Sequence, residues 1–218
     1  QQLDQQLQGR DRLQWSFEHD NQALQQGPLY AVIKESMRLY NVVPQIYRKT
    51  IAPTTVLDSQ GVAHQLPTGT LCHWNFSAAW RNPNRWSARD VPAEERAKLH
   101  DAPALDFDPE RWLNNPNLVL DEKLHVPRFF PFGQGVRSCP GERFAMVEMT
   151  SVFATIYRNY SLELVVSDEK LAACGGDYQT AWQSAREDAI RVLADDVFAK
   201  LNLELLKELS IKVVERRV

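Results

Sequence analysis

The segment that most constrains this chain is RFFPFGQGVRSCPGERFAM, residues 128–146, in which a single cysteine stands among glycines ahead of a predicted helix. Cys139 directly precedes Pro140, a residue suited to the first turn of a helix. The free N–H groups and the dipole of a helix N-terminus favour a thiolate at that position. Backbone could also approach a flat, bulky group closely at three glycines, Gly133, Gly135 and Gly141.

Two further side chains in this segment favour a planar cofactor. Arg137 offers a forked cation that suits a carboxylate, and Phe132 offers an aromatic wall. A cofactor with a metal for the thiolate and carboxylates for the arginine fits the description of haem. Taken alone, Cys139 is also compatible with a small buried hydrophobe or with a catalytic thiol. No sequence relation marks His100 or His125 as the base of such a thiol.

The pattern Phe132-x-x-Gly135-x-Arg137-x-Cys139-x-Gly141 resembles the haem-binding signature of the cytochrome P450 family, the haem-thiolate monooxygenases. Upstream, ESMR (residues 35–38) resembles the E-x-x-R of the family's helix K, and FDPERW (residues 107–112) resembles its P-E-R motif. The resemblance implies that Cys139 is the axial iron ligand of haem b. It also implies a group of cofactor-binding residues: Arg48, Phe132, Gly133, Gly135, Arg137 and Gly141.

Glu35 and Arg38 are three residues apart, so on a helix they share a face and can pair. An isolated pair of this kind is most often a surface ion pair that contributes little. The resemblance implies that Arg111 joins them in a buried structural triad, which would hold the long segment 81–127 without regular secondary structure. Arg48, in the first predicted strand, is equally compatible with a haem propionate partner and with a solvated strand arginine.

Periodicity predicts a mixed fold, mainly α with a small antiparallel β-sheet. We expect helices from Pro28 to near Asn41, from Pro140 to Tyr160, and from a cap at Asp177 to Leu201. Strands are expected between Gln45 and Trp80, at residues 162–166 and twice in the tail, with a short helical patch at residues 92–99. The resemblance implies the C-terminal half of the P450 fold.

The resemblance further implies that residues 1–218 form a single partial domain. It would contain helices J and K, the β region, the P-E-R loop, the haem-binding loop with helix L, and a C-terminal helix with strands. The long central helix that carries an acid and a threonine in the family has no counterpart in the sequence. We therefore expect a C-terminal fragment, and its loops and tail resemble the fungal, microsomal type of the family.

Charge and cysteine usage exclude several other classes of protein. A net charge of −3 gives no electrostatic reason to expect nucleic acid as a partner. The three cysteines are too far apart for a C-x-x-C zinc site, and they favour a reducing compartment over a disulfide framework. The apolar stretches are too short to cross a bilayer.

The resemblance implies a monooxygenase that inserts one oxygen atom from dioxygen into a small apolar organic substrate. Electrons would come from an NADPH-dependent reductase on the proximal face, where charge could come from Lys123, Arg128 and Arg143. The full-length parent would lie on the cytosolic face of the endoplasmic reticulum membrane, held by an N-terminal anchor outside this chain. A non-catalytic, truncated haem-binding remnant and a reductase-independent haem-thiolate isomerase or dehydratase remain alternatives. A thiol hydrolase has less support.

Overall fold

The computed structural model describes ten parts of the chain, namely residues 5–7, 10, 14–86, 103–113, 120–121, 126–127, 129–195, 197–199, 203–205 and 207–216. Within them the helices are α1 (Phe17–Leu24), α2 (Pro28–Leu39), α3 (Phe76–Arg81), α4 (Pro83–Trp86), α5 (Glu110–Leu113), α6 (Glu142–Asn159), α7 (Asp168–Ala173) and α8 (Tyr178–Asp195). No helix in these parts is both long and apolar enough to span a membrane.

The strands are β1 (Gln45–Lys49), β2 (Thr54–Leu57), β3 (Ala63–Leu66), β4 (Leu71–Asn75), β5 (Leu120–Asp121), β6 (Val126–Pro127), β7 (Tyr160–Leu164), β8 (Val197–Ala199), β9 (Leu203–Leu205) and β10 (Ile211–Glu215). The predicted class, mainly α with antiparallel strands, is confirmed. However, the strands of the described parts form five separate two-stranded pairs and not one small sheet: β1–β4, β2–β3, β5–β6, β7–β10 and β8–β9.

Helix α2 lies between the two hydrophobic clusters of the described structure. Gly27 caps its N-terminus and Pro28 occupies the first turn, where a missing N–H costs nothing. One face carries Leu29 and Ile33 into a cluster with α1 and α6. The other carries Ala31 into an aromatic cluster with α3, α4 and α5. The helix is therefore buried on two sides, and the acidic and basic residues of ESMR point into the interior.

The strand predicted to run to Trp80 is wrong beyond Asn75, where helix α3 begins. The side chain of Asn75 accepts the N–H of Ala78 at 2.9 Å and so caps the helix. The carbonyl of Pro44 accepts the N–H of Phe76 at 2.9 Å. This helix turns the aromatic face of Phe76 and Trp80 into the core, where both side chains are buried.

Two helices in the C-terminal half differ from the predicted bounds. Helix α6 begins at Glu142 and not at Pro140. Helix α8 is capped as predicted by Asp177, whose carboxylate accepts the N–H of Thr180 at 3.2 Å. It ends at Asp195 and not at Leu201, because β8 begins at Val197. The helical patch predicted at residues 92–99 lies outside the described residues.

Candidate functional site

The cysteine loop, residues 129–141, folds back on itself ahead of α6. The N–H of Cys139 donates to the carbonyl of Phe132 at 2.7 Å, which closes the loop across seven residues. Gly133 and Gly135 have φ values of 78° and 67°, a conformation that residues with a Cβ rarely adopt. A short 3₁₀ turn from Gly135 to Arg137 then leads to the cysteine. The glycines are thus needed for the path of the backbone around Cys139.

Cys139 presents a free, exposed thiol two residues before Gly141, which is the N-cap of α6. Arg137 is exposed in the same loop, and Phe132 is half-buried against the cluster formed with α2 and α6. Because the helix begins later than predicted, the sulfur lies just outside its first turn. The loop therefore displays its thiol and its cation outward on a closed backbone frame.

The residues of the loop fit a haem. A Cβ on Gly141 would lie 3.7 Å from the sulfur of Cys139, and nothing lies within 4 Å of a Cβ built on Gly135. Of these two positions, only Gly141 is adjacent to the sulfur, and no side chain stands between the two. No cluster of three or more His, Cys, Asp or Glu side chains suited to a metal occurs in the described parts. A lone thiolate suits an iron whose other ligands come from a macrocycle, and Arg137 suits a propionate.

Glu35, Arg38 and Arg111 meet in the interior, where they are 0%, 0% and 4% exposed. Arg38 holds the carboxylate of Glu35 with two bonds, from Nε at 2.8 Å and from Nη2 at 2.7 Å. Nε of Arg111 lies 3.5 Å from Oε1 of the same carboxylate. The structure thus brings together the three side chains of the predicted triad, in a setting far from that of a surface ion pair.

Two groups that sequence reasoning did not assign complete the shell of Glu35. The indole N–H of Trp112 donates to Oε2 at 2.9 Å, and the backbone N–H of Asp108 donates to Oε1 at 3.0 Å. Both residues belong to the FDPERW segment, so the signal for them was their place beside Arg111. A buried carboxylate with this many donors has its hydrogen-bonding capacity nearly filled.

The two arginines use their remaining N–H groups to hold backbone carbonyls of distant segments. Arg38 donates to the carbonyls of Trp80 at 2.8 Å and Ala104 at 2.6 Å. Arg111 donates to those of Trp86 at 3.0 Å and Pro103 at 3.1 Å. The network therefore joins helix α2 to the ends of α3 and α4 and to residues 103–113, where α5 is a helical turn in the segment predicted to lack regular structure.

The environment of Glu35 favours its ionised form. Burial alone would raise the pKa of this carboxyl, but the hydrogen bonds and charge of Arg38 and the N–H donors of Asp108 and Trp112 outweigh it. The pKa of Glu35 is therefore held below its usual value. Burial and the neighbouring charge of Arg38 lower the pKa of Arg111, against the opposing effect of Glu35.

An aromatic cluster connects this network to the cysteine loop. The ring of Phe129, where the loop begins, lies 4.9 Å from that of Trp112 and 5.0 Å from that of Trp80, between ring centroids. Trp112 bonds directly to Glu35, and the carbonyl of Trp80 bonds to Arg38. The start of the loop is thus packed against side chains that the buried network fixes.

The other predicted residues are less well placed. Arg48 is exposed on β1, and its Nη1 donates to the carbonyl of Tyr47 at 2.9 Å, so a role toward a propionate stays a prediction. Arg143 is exposed in the first turn of α6. Four residues considered as bases or as docking charges lie outside the described residues: His100, Lys123, His125 and Arg128.

Comparison with known proteins identifies one family. The model of the cytochrome P450 family matches residues 3–176. The "phomenoic acid biosynthesis cluster cytochrome P450 monooxygenase" of Leptosphaeria maculans is 34% identical over 61% of this chain and 23% of its own length. The "cytochrome P450 monooxygenase orf3" of Eupenicillium brefeldianum is 31% identical over 76% of this chain and 29% of its own length.

Solved structures show the same fold. A crystal structure of cytochrome P450 CYP102L1 superposes with a TM-score of 0.62 at 22% identity, covering 99% of this chain and 37% of its own. The chain thus spans less than a third of the two curated relatives and little more than a third of that structure.

Replacing Glu35 by Gln tests the buried network. The amide keeps the shape of the side chain but removes the anion that Arg38 binds with two bonds and that Arg111 approaches at 3.5 Å. We expect the free energy of unfolding to fall by about 3–5 kcal/mol, measured by urea denaturation of the purified chain. Glu148→Gln, at an exposed position on α6, is the matched control and should change it by less than about 0.5 kcal/mol. Equal effects of the two substitutions would contradict a buried network.

The lowered pKa of Glu35 predicts a pH dependence with a definite sign. Its ionised form stabilises the folded chain above the pKa of the unfolded state, and this contribution is lost as the pH falls through the lower folded-state pKa. The stability difference between wild type and Glu35→Gln should stay constant from pH 7 to about pH 5, then shrink below about pH 4. Urea denaturation at several pH values measures this difference in the free energy of unfolding. A difference that is unchanged at about pH 3 would argue against a lowered pKa of Glu35.

Proposed function

The chain belongs to the cytochrome P450 family, and we propose that it is the haem-binding, C-terminal part of a haem-thiolate monooxygenase. The observation that carries the proposal is the closed cysteine loop, which displays one free thiol beside glycines and an exposed arginine. Coverage of less than a third of two curated relatives supports a longer parent protein.

In this proposal each residue of the loop has a defined task. Cys139 binds the iron of haem b through its thiolate. Gly133, Gly135 and Gly141 keep side chains away from the macrocycle, and Phe132 packs beside it. Arg137, and Arg48 from β1, donate to the propionates. Haem, when bound, would supply the oxygen chemistry, and the thiolate of Cys139 would contribute electron density to the iron.

Glu35, Arg38 and Arg111 have a structural role in the proposal. They hold the segment from Pro103 to Leu113 against α2, and through Trp112 and Phe129 they support the start of the cysteine loop. A charge network that is already satisfied by its own partners has no free donor for a substrate. We therefore assign none of the three to the chemistry itself.

The partners of the parent follow from the family. The parent would insert one oxygen atom into a small apolar organic substrate. Similarity to a relative from a phomenoic acid biosynthesis cluster favours a role in secondary metabolism. An NADPH-dependent reductase would dock on the proximal face, to which Arg143 and, outside the described residues, Lys123 and Arg128 would contribute charge. The parent would lie at the endoplasmic reticulum membrane, on its cytosolic face, through an N-terminal anchor.

A second candidate is a haem-binding remnant without catalysis, because the chain covers 23% to 29% of the two curated relatives described above. The two candidates differ in what the 218-residue chain does with reductase and NADPH. Reductase-dependent substrate turnover by this chain alone would exclude the remnant and would also contradict the assignment as a fragment. Haem binding without turnover fits both, and an in-frame upstream coding sequence for a central helix would then select the parent enzyme.

The proposal predicts a specific spectrum. The purified chain, loaded with haem, reduced and exposed to carbon monoxide, should show the strongly red-shifted Soret band of a thiolate-bound haem. The band should be lost in Cys139→Ala and kept in Cys72→Ala and Cys174→Ala, since neither of these cysteines lies in the loop. A band that survives in Cys139→Ala would assign the ligand to another residue and overturn the proposal.

A further inference from the structure

A cleft of about 300 Å³ opens between α2, the cysteine loop and the start of α6. Its lining is mixed, and its apolar residues are Met37, Phe129, Phe130, Pro131, Phe132 and Met146. Four polar side chains complete the lining: Tyr30, Lys34, Gln134 and Glu142. The cleft thus combines polar and apolar groups, and its volume lies at the low end of the range of small-molecule sites.

Lys34 is the single basic side chain that lines this cleft. Its Nζ lies 4.6 Å from the ring centroid of Tyr30 and 5.5 Å from that of Trp112. Within the described parts of the chain it has neither an ion pair nor a hydrogen bond. Burial lowers the pKa of Lys34, which is the effect of a partly desolvated ammonium group without a compensating anion.

Glu142 lines the cleft without forming an ion pair with Lys34. Burial raises the pKa of Tyr30, and the charge of Glu142 adds to this effect. The ammonium group of Lys34 is thus held over two aromatic faces and open to an anion from outside. A cation that only contacts aromatic rings is stabilised less than a cation that also has a charged hydrogen-bond partner.

We propose that this cleft binds a small organic carboxylate with an apolar body. The carboxylate would accept a charge-assisted hydrogen bond from Lys34, and the body would lie against Met37, Phe130 and Met146. Charge complementarity favours an anion at the lysine end, and the apolar side chains of Met37, Phe130 and Met146 favour a hydrocarbon group beside it. The acidic side chain of a docked protein would reach the lysine but would make fewer contacts with these three side chains.

An occupant of the cleft would touch the loop that holds the cysteine. Phe132 lines the cleft, and its carbonyl accepts the N–H of Cys139 at 2.7 Å. Contact with Phe132 or Gly133 would therefore act on the peptide that positions the sulfur. Phe132 and Gly133 are also proposed haem contacts, so binding to the cleft is tested on the chain without haem and does not require the proposed oxygen chemistry.

Calorimetric titration of the purified 218-residue chain with 4-phenylbutyrate tests the proposal, with neutral 4-phenylbutanamide as the matched ligand. We expect the carboxylate to bind at least about tenfold more tightly than the amide, as one charge-assisted bond provides. Lys34→Met, which keeps an apolar stem, should remove this preference. Lys212→Met, at an exposed position on β10, should retain it.

Glu142→Gln provides a second variant, which we expect to change the affinity for 4-phenylbutyrate in the opposite direction. Removing a like charge from the cleft should tighten binding of 4-phenylbutyrate several-fold and leave the amide unaffected. Circular dichroism of every variant confirms that the folded chain is being titrated. Absence of carboxylate binding to the folded wild type overturns the proposal, even if an acidic peptide binds there. Equal affinity of wild type and Lys34→Met overturns it as well.

Discussion

Two guanidinium groups, an indole N–H and a backbone N–H converge on the carboxylate of Glu35. Bonds from the two arginines join α2, α3, α4 and residues 103–113 around it. Taking three charges out of water is costly, and their attraction compensates only when nearly every donor and acceptor is satisfied. The carbonyls bound by Arg38 and Arg111 meet that condition. The same bonds give an irregular segment a fixed position, which hydrophobic packing alone specifies less well.

The position of the cysteine loop depends on this network indirectly, through the aromatic cluster. Phe129 packs between Trp80 and Trp112, so the loop starts from a fixed point. The bond from the N–H of Cys139 to the carbonyl of Phe132 then sets where the loop ends. The position of the sulfur atom of Cys139 thus depends on the buried network around Glu35, the 3₁₀ turn from Gly135 to Arg137, and the positive φ of Gly133 and Gly135. Because these contacts fix the loop, the residues proposed to bind haem need little regular secondary structure.

Motif spacing predicted more of this molecule than periodicity did. The order of the E-x-x-R motif, the P-E-R motif and the glycine-cysteine pattern led to the family. It also led to Glu35, Arg38 and Arg111, which meet in the interior. The strand prediction failed at Phe76, because local capping by Asn75 and the carbonyl of Pro44 override the β-rich composition. The end of α8 was missed because nothing in its apolar pattern marks Asp195 as a stop. Lys34 was not singled out, since its cleft exists only once α2, α6 and the loop are packed.

The central claim is that Cys139 supplies a thiolate to haem iron, and X-ray absorption at the iron edge tests it most directly. The haem-loaded 218-residue chain should show one sulfur atom among the direct ligands of the iron, and haem-loaded Cys139→Ala should show only nitrogen and oxygen. The same light-atom coordination in both proteins would contradict the account. It would leave the family membership intact while removing the loop from its proposed role.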